Sequence, residues 1–312
     1  MAKYNTSILV TGGTQGMGFR CSLAIAKQCP DVQVFIASRT DPDDAASAIN
    51  KTLKQSNVRY LPLDLGSLAK VRDFAASWKA GNYPPIQTLL LNAGVHIMGG
   101  VQYSEDGLEK NFAINHVGHA LLFHLLLPCL TPDARIVVTA SGVHDPAEKW
   151  MSDPHWTNAE EMAHPGPARV SSIAGSDRYA ATKLANILWA KALARHLSKA
   201  ASGKLVVIMD PGFMPGTGLF RNAPAPFRFA AKKIMPKAMP LLRATYHENT
   251  HTPEESGQAL AWLSTTNEVK GQNGGYFEGK RVKASSPVSM EEAKQEDLWK
   301  WTVEFLCVDG SV

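Results

Sequence analysis

The feature of this sequence that most constrains its fold is a series of short, continuous apolar runs separated by segments of helical periodicity. A strand that is apolar on both faces must be buried on both faces, which is typical of a parallel sheet covered by helices. The runs predict strands at 8–10, 32–37, 58–63, 86–91, 135–140 and 204–209. The periodicity predicts helices at 18–28, 67–78, 109–127 and 177–197. We therefore predict an α/β fold, a doubly wound parallel sheet in three α/β/α layers.

The remainder of the chain continues this organisation, so we predict one domain over residues 1–312. Two later segments carry capping-box patterns that begin at Thr252 and Ser289, and each predicts a helix. Two stretches interrupt the alternation. Residues 142–177 are rich in Pro, Trp and His and are interpreted as an insertion, and residues 213–246 are rich in Met, Phe and Pro and are interpreted as a substrate lid.

Composition excludes several classes of protein. The chain has 312 residues, 45% of them hydrophobic, and its 32 basic and 28 acidic residues are in mixed order, unlike the basic stripe of a nucleic-acid binder. Four scattered cysteines without a CxxC pair indicate neither a zinc site nor a disulfide framework, which favours a reducing compartment. The first strand leaves no room for a signal peptide, and the longest apolar stretch, 120–130, is shorter than the roughly 20 residues of a membrane span. We expect a cytoplasmic protein with no integral membrane segment and no nucleic-acid partner.

A glycine-rich turn follows the first predicted strand and leads directly into the first helix. Gly12, Gly13, Gly16 and Gly18 permit a tight turn and close approach of the backbone to a ligand. The free N–H groups and the positive dipole end of the helix then suit a pyrophosphate. The cluster alone also fits an ordinary turn, but its position between strand and helix favours a nucleotide site.

The end of the second predicted strand indicates which nucleotide is bound. Ser38 and Arg39 lie where such a fold meets the adenosine ribose. An arginine suits the 2′-phosphate of NADP, whereas an acidic residue suits the 2′-hydroxyl of NAD. The sequence therefore predicts NADPH/NADP+ as cofactor. Asp41, Asp43 and Asp44 follow closely, and one of them turned inward would favour NAD instead.

Tyr179 and Lys183 are the candidate catalytic pair. Their spacing of four places the phenol and the ammonium on the same face of a helix. Hydride reduction of a carbonyl creates an alkoxide that must be protonated, and a phenol of pKa near 10 is a weak acid at pH 7 unless a cation stabilises its phenolate. We expect Lys183 to lower the pKa of Tyr179. Taken alone, this spacing is also common on solvated helix faces.

A set of motifs along the chain resembles, in its order and spacing, the short-chain dehydrogenase/reductases. The motifs are Thr11-Gly12-(x3)-Gly16-x-Gly18, Asn92-Ala93-Gly94, Asn115, Ser141, Tyr179-(x3)-Lys183 and Pro211-Gly212. The resemblance extends from Thr6 to about Gly218 and implies an oxidoreductase with a Rossmann fold. It implies that Ser141 and Tyr179 bind the substrate carbonyl and that Tyr179 is the general acid or base. Lys183 would bind the nicotinamide ribose and tune Tyr179, and Asn115 would hold a water of a proton relay.

The same resemblance implies the cofactor contacts. The residues are Gly12, Thr14, Gly16, Met17, Gly18, Ser38, Arg39, Asp64, Leu65, Asn92, Ala93, Gly94, Tyr179, Lys183, Pro211, Gly212, Met214 and Thr217. Asp64 would lie near the adenine, the Asn92-Ala93-Gly94 turn beside the adenosine, and the segment after Pro211-Gly212 along the nicotinamide. Asp64 also fits a simple strand end, and Pro211-Gly212 an ordinary turn.

Within the family, residues 210–218 look most like fungal and bacterial reductases, and the chain as a whole looks most like the branch of retinol dehydrogenases and protochlorophyllide reductases. Residues 103–109, 115–119 and 285–287, together with Arg178 before Tyr179, carry this similarity. Members of the branch often form dimers through the helices that carry Asn115 and Tyr179, but the long 142–177 stretch leaves homodimer and monomer both open. His116 and His119 are spaced as a metal pair without a third ligand, so we expect no metal.

These patterns predict an enzyme that reduces a ketone or aldehyde, or oxidises the matching alcohol, on a hydrophobic small molecule, in secondary metabolism. The apolar 213–246 segment motivates the hydrophobic substrate. One alternative is reduction of a conjugated C=C bond. Another is a nucleotide-sensing binding protein without turnover, although such proteins commonly lose the Tyr or the Lys. Peripheral membrane association through Phe227, Phe229, Lys232 and Lys233 is a further possibility.

Overall fold

A computed structural model describes residues 4–148, 153–215 and 225–312, apart from the side chains of 227, 228 and 232. Within these residues the strands form one eight-stranded sheet of order β3-β2-β1-β4-β5-β6-β7-β8. The strands are β1 (Ser7–Thr11), β2 (Gln33–Ser38), β3 (Val58–Pro62), β4 (Ile86–Leu91), β5 (Leu130–Thr139), β6 (Leu205–Asp210), β7 (Gly275–Glu278) and β8 (Arg281–Lys283). All neighbours pair in parallel except β7 and β8. The six predicted strands and the doubly wound parallel sheet are confirmed.

Helices connect the strands and cover the sheet. They are α1 (Gly16–Gln28), α2 (Ala45–Leu53), α3 (Leu68–Ala80), α4 (Lys110–Phe112), α5 (Gly118–Leu126), α6 (Ala159–Ala163), α7 (Pro167–Ser172), α8 (Gly175–Lys199), α9 (Ala225–Phe229), α10 (Met239–Thr245), α11 (Pro253–Thr265) and α12 (Glu292–Leu306). A π-helical turn, Ala113–Val117, joins α4 to α5. The strand order reverses between β1 and β4, which is where such sheets bind ligands beyond their carboxyl ends.

The core lies on both faces of the sheet, as the continuous apolar runs predict. In β1, Ile8 and Val10 belong to the cluster that includes residues of α1 and α11. Leu9, between them, belongs to the cluster that includes residues of α3, α5 and α8. All three side chains are fully buried. Burial of one such side chain stabilises the fold by about 1.5–3 kcal/mol, so the two faces fix the strand's register.

The helical segment after β4 has nearly the predicted bounds but extends well beyond the apolar stretch 120–130. The segment Lys110–Cys129 is long and apolar enough to cross a membrane by length and composition, although 67% of its most apolar window is buried inside the molecule. Leu121, Leu122 and Phe123 are fully buried in the core beside the sheet. A core helix passes the same test of length and composition, and these contacts describe a core helix.

One of the two predicted capping boxes is present. At α11, the Thr252 hydroxyl accepts from the Glu255 N–H at 3.1 Å and the Glu255 carboxylate accepts from the Thr252 N–H at 2.8 Å. The capping box predicted at Ser289 is absent, although the helix predicted to follow it is present as α12. Ser289 lies in a 3-10 turn, Pro287–Met290, where its hydroxyl donates to the Ser286 carbonyl at 2.6 Å. The turn that opens at Pro287 delays α12 to Glu292.

The two irregular stretches contain short helices. Residues 142–177 include α6 and α7, and the indole N–H of Trp301 on α12 donates to Glu160 of α6 at 2.7 Å. The described part of 213–246 includes α9 and α10, joined by π-helical and 3-10 turns. Both stretches therefore pack as additions beside the sheet and leave its strand order unchanged.

Candidate active site

A cavity of about 570 Å³ lies at the carboxyl ends of β1, β2, β4, β5 and β6. Its walls include every residue predicted to contact the cofactor except Thr217, which lies outside the described residues. Ser141 also lines it, whereas Asn115 does not. One cleft therefore brings together the glycine turn, Arg39 and the Tyr179–Lys183 pair, and the individual contacts stay predictions.

The glycine turn has the geometry that a phosphate cradle requires. Gly12 has a φ of +70°, a conformation that favours glycine. A Cβ on Gly18 would lie 2.2 Å from the Gly12 carbonyl oxygen, so α1 can pack this closely only with glycine there. The amino end of α1 consequently lines the cavity, where its free N–H groups suit a pyrophosphate.

The turn after β4 is held by Thr11 at the end of β1. The N–H groups of Asn92 and Ala93 donate to the Thr11 hydroxyl at 2.8 and 3.0 Å, and the Asn92 side-chain amide donates to the Thr11 carbonyl at 2.8 Å. The His119 Nε2 lies 2.9 Å from the same hydroxyl. This network fixes the two strand ends at which the sheet order reverses.

The two histidines considered as a metal pair have separate partners. His119 contacts Thr11, whereas the Nε2 of His116 lies 3.2 Å from the hydroxyl of Thr302 on α12. Burial lowers the pKa of His116 to about 3 and that of His119 to about 4, so both are neutral at pH 7. Across the described ranges, no group of three His, Cys, Asp or Glu side chains could hold a metal ion.

At the ribose end, Arg39 is exposed and lines the cavity. Both carboxylate oxygens of Asp41 accept from the Ala45 N–H at 2.9 Å, so this acid caps α2. Asp43 and Asp44 are exposed and are not among the residues that line the cavity. The geometry therefore favours an arginine contact over the acidic alternative.

At the adenine end, the Asp64 carboxylate accepts from the Gly66 N–H at 3.1 Å and pairs with Lys70 at 3.2 Å. It also lines the cavity. Asp64 thus fits both interpretations made from the sequence, a strand end and an adenine contact.

The Tyr179 and Lys183 side chains lie on one face of α8, as their spacing predicts. The Lys183 Nζ is 5.6 Å from the centre of the Tyr179 ring and donates to the Thr139 carbonyl at 3.2 Å. Only 6% of Tyr179 and 3% of Lys183 are exposed. Burial lowers the pKa of Lys183 to about 8, opposed by the carboxylate of Asp210.

The expected lowering of the Tyr179 pKa is wrong for this structure. Burial, and secondarily the Asp210 carboxylate, raise the pKa of Tyr179 above its usual value. Desolvation disfavours the phenolate, and a nearby negative charge adds to that effect. Tyr179 is therefore protonated at neutral pH, which is the form that donates a proton.

Asp210, which the sequence did not single out as a site residue, ends β6 at the cavity wall. It is 2% exposed, and its oxygens accept from the Gly212 N–H and the Asn249 side chain, both at 2.9 Å. Burial raises the pKa of Asp210, and its hydrogen bonds to main-chain N–H groups oppose the shift. The sequence signal that could have indicated Asp210 is its position, directly after the predicted strand 204–209 and directly before Pro211-Gly212.

The side chain of Asn115 binds the loop after β4. Its Oδ1 accepts from the Val95 N–H at 2.8 Å, and its Nδ2 donates to the Val95 carbonyl at 2.9 Å and to Thr182 at 3.0 Å. The amide is thus occupied by protein partners. The relay role implied for Asn115 stays a prediction, and its main-chain carbonyl in the π-helical turn would have to carry it.

The loop around Ser141 is anchored by a buried histidine. The Nε2 of His144 accepts from the Ser286 N–H at 3.0 Å, so the ring proton lies on Nδ1, which donates to the Ser141 carbonyl at 2.8 Å. Burial lowers the pKa of His144 and favours this neutral form. The anchor joins Ser141 to the segment before α12.

His96 is the second functional candidate that the sequence did not indicate. Its imidazole lines the cavity and stacks on the Tyr179 ring, with 4.4 Å between ring centres and 20° between planes. A single histidine with no motif around it gives no sequence signal.

Known proteins are similar to this chain in sequence, and solved structures are similar to it in fold. Residues 6–152 match the model of the short chain dehydrogenase family. The polyprenol dehydrogenase of Danio rerio is 32% identical over 300 residues, which cover 94% of this chain and 84% of that protein. Human retinol dehydrogenase 14 is 29% identical over 311 residues, which cover 95% of this chain and 84% of the relative.

Among solved structures, the NADPH-bound carbonyl reductase from chicken fatty liver has a TM-score of 0.58 and 17% identity. The alignment covers 91% of this chain and all of that one. A protein of Mycobacterium paratuberculosis has a TM-score of 0.68 and 21% identity, over 99% of this chain and 95% of its own. At these identities the likeness shows the fold alone.

Proposed function

The chain belongs to the short-chain dehydrogenase family, in the branch of the retinol dehydrogenases, and on that premise we propose that it is an NADPH-dependent carbonyl reductase. The family supplies nicotinamide-dependent redox chemistry between alcohol and carbonyl. One observation carries the proposal: Tyr179 and Lys183 lie on one helix face in the same cavity as the glycine turn and Arg39. The substrate would be a ketone or aldehyde, or in reverse the matching alcohol, of a hydrophobic small molecule.

In this mechanism the side chains bind the carbonyl and move one proton. A nicotinamide held beside Tyr179, Lys183 and Gly212 would supply the hydride for the carbonyl carbon. The phenol of Tyr179 donates its proton to the carbonyl oxygen, so that the product is the alcohol. Ser141 donates a hydrogen bond to the same oxygen. The Lys183 ammonium, charged below pH about 8, stabilises the phenolate that forms. Burial of the pair excludes water and strengthens these interactions.

The cofactor preference rests on Arg39. Arg39 is exposed at the cavity wall, and Asp41, the first acidic residue after it in the chain, accepts from the first N–H of α2. At Gly16, which has a φ of +53°, a Cβ would have no protein atom within 4 Å, and this open space beside the turn fits a pyrophosphate against the backbone. These features support NADPH rather than NADH.

The opposite end of the cavity supports a hydrophobic substrate. The residues lining it there include Met98, Phe213, Met214, Met235 and Leu242. Flexible methionine side chains adapt to irregular molecules, which supports a hydrophobic substrate of irregular shape, and a place in secondary metabolism stays a proposal. We also propose that the enzyme is cytoplasmic, binds no nucleic acid and has no integral membrane segment.

Titration with NADPH and NADH, followed by intrinsic fluorescence, tests the cofactor assignment. In Arg39→Asp we expect NADPH binding to weaken by roughly 10- to 100-fold, because a charged hydrogen bond contributes about 1.5–3 kcal/mol. NADH binding should change little. Lys51→Asp, which makes the same charge change on an exposed face of α2, is the control. Equal loss for both nucleotides would contradict the role of Arg39, and binding of neither would contradict the proposed function.

Tyr179→Phe tests the chemistry. We expect kcat for carbonyl reduction to fall by about 10²–10⁴, the usual contribution of a general acid, while NADPH affinity stays within a factor of about two. Tyr103→Phe, at a half-exposed phenol, is the control. Analysis of products decides between reactions: an alcohol supports the proposal, and a saturated ketone with its carbonyl intact supports C=C reduction. A wild-type protein that binds NADPH without turning over any carbonyl would be a sensor.

A further inference from the structure

His96 occupies a position that a purely structural residue does not need. It lines the cavity, is 3% exposed, and stacks on Tyr179 at 4.4 Å. Its Nε2 is buried and has no hydrogen-bond partner among the described residues. Buried polar groups are nearly always paired, so an unpaired ring nitrogen beside a proposed catalytic tyrosine calls for a partner that the protein does not supply.

The backbone on both sides of His96 is fixed. Val95 is bound through both its N–H and its carbonyl by the side chain of Asn115, at 2.8 and 2.9 Å. The Ile97 N–H donates to the Asn111 Oδ1 at 2.8 Å, and the Asn111 amide is in turn held by Glu109 at 2.7 Å. Two asparagines thus hold the residues that flank one imidazole. Such support is typical of a side chain whose position matters for binding.

The imidazole of His96 is neutral at pH 7 because its environment lowers its pKa. Burial, and secondarily the positive charge of Arg178, lower the pKa of His96 to about 4. Arg178 itself pairs with Glu109 at 3.4 Å. A neutral imidazole offers one donor and one acceptor and suits an uncharged oxygen better than a carboxylate.

We propose that His96 forms a polar substrate subsite, which hydrogen-bonds a second, uncharged oxygen of the substrate close to the carbonyl that Tyr179 protonates. The substrate class is then a hydroxyketone or hydroxyaldehyde with a hydrophobic remainder. Because the imidazole stacks on the reacting phenol, the second oxygen belongs on a carbon adjacent to the carbonyl carbon or on the next one. This inference rests on the proposed carbonyl reduction and specifies its substrate.

A matched pair of ketones tests the subsite. The probes are 4-hydroxydecan-2-one and decan-2-one, which differ only in the second oxygen, and the readout is kcat/KM for each with NADPH. In His96→Phe, which keeps an aromatic ring against Tyr179 and removes both nitrogens, we expect the preference for the hydroxyketone to fall roughly ten-fold, the contribution of one hydrogen bond. His96→Asn should restore part of it. His164→Phe, at an exposed histidine, is the control and should leave the ratio unchanged.

Failure of the subsite proposal and failure of the proposed carbonyl reduction give different results in this experiment. A wild-type enzyme that reduces both ketones with equal kcat/KM, or a His96→Phe variant that loses activity on both by the same factor, contradicts the subsite and leaves carbonyl reduction intact. NADPH binding by each variant shows that it is folded. Should neither variant fold, the wild-type preference alone decides. Reduction of neither ketone by the wild type contradicts the proposed function, and the subsite with it.

Discussion

At the scale of single residues, the carboxylate of Asp210 sets the charge balance of the site. It raises the pKa of both Tyr179 and Lys183, so it favours the protonated form of each. Burial acts on the two residues in opposite directions, because it disfavours the phenolate in one and the ammonium in the other. Asp210 therefore opposes the effect of burial on Lys183, which disfavours the ammonium.

Asp210→Asn tests this balance through the pH dependence of carbonyl reduction. Reduction requires Tyr179 and Lys183 both protonated, so activity falls as pH rises through the pKa of Lys183, about 8. Removal of the carboxylate lowers both pKa values, and the alkaline limb of kcat/KM should move to lower pH by roughly one unit, as a lost charge partner produces. The asparagine Oδ1 can still accept the hydrogen bond from the Gly212 N–H.

The control for this experiment is Asp133→Asn, at an exposed acid near the start of β5. The pH profile is measured from 5 to 10 for wild type and both variants. An alkaline limb that stays in place in Asp210→Asn, with NADPH affinity retained, would show that Asp210 does not act on the pair.

The identities of Tyr179, Lys183 and Arg39 could be predicted because spacing and strand ends place them. Their electrostatics could not, since the direction of the Tyr179 pKa depends on burial and on Asp210, which is 31 positions later in the chain. The stack of His96 on Tyr179 could not be predicted either, because it joins the loop after β4 to a helix residue 83 positions later. The sequence thus predicted which residues meet, and only the fold decided their charge states.

At the scale of elements, a buried ion pair joins the amino ends of α4 and α8. Arg178, the residue before Tyr179, lies 3.4 Å from Glu109, and both side chains are buried. The Glu109 carboxylate also accepts from the Phe112 N–H at 2.8 Å, so it caps α4. Arg178 donates to the carbonyls of Ile173 at 2.9 Å and of Gly99. The pair therefore links the start of the catalytic helix to the loop after β4.

Arg178→Met tests the contribution of the ion pair to folding. We expect the free energy of unfolding in urea to fall by about 3–5 kcal/mol, because the substitution leaves the Glu109 charge buried without its partner. Arg20→Met, which removes the half-exposed pair with Glu254 on α11, should cost less than about 1 kcal/mol. Similar losses in the two variants would mean that the buried pair contributes no more than a surface pair.

Elements with long apolar runs were predictable, and short ones were not. The hairpin β7–β8 has strands of only four and three residues, which are too short to show a periodic pattern in the sequence. At Ser289 the local pattern of a capping box was correct in residue type, but Pro287 and the hydroxyl of Ser286 open a 3-10 turn first. Local signals of equal strength compete there, and packing decides between them.

At the scale of the whole molecule, α12 packs against the helical segments that carry Asn115 and Tyr179. The resemblance to the retinol dehydrogenase branch implies that dimers would form through these segments. On the α8 side, His196 stacks on Trp299 with 4.4 Å between ring centres, and Arg195 pairs with Glu296 at 2.6 Å. On the other side, Trp301 packs against Phe112 of α4 with 5.8 Å between ring centres. Both helices thus find within the same chain the apolar cover that a second subunit would provide.

We therefore propose a monomer and predict that light scattering after gel filtration gives a mass near 33.8 kDa. A chain that ends at Met290 lacks α12 and exposes the surfaces against which Trp299 and Trp301 pack, which include His196 of α8 and the buried Phe112 of α4. Exposed apolar faces of this kind associate, so the shortened chain should elute as a dimer or larger species. A chain that ends at Asp309 keeps α12 and serves as the control. A stable dimer of the complete chain would mean that the helices pair despite this cover, or that another face of the molecule is the interface.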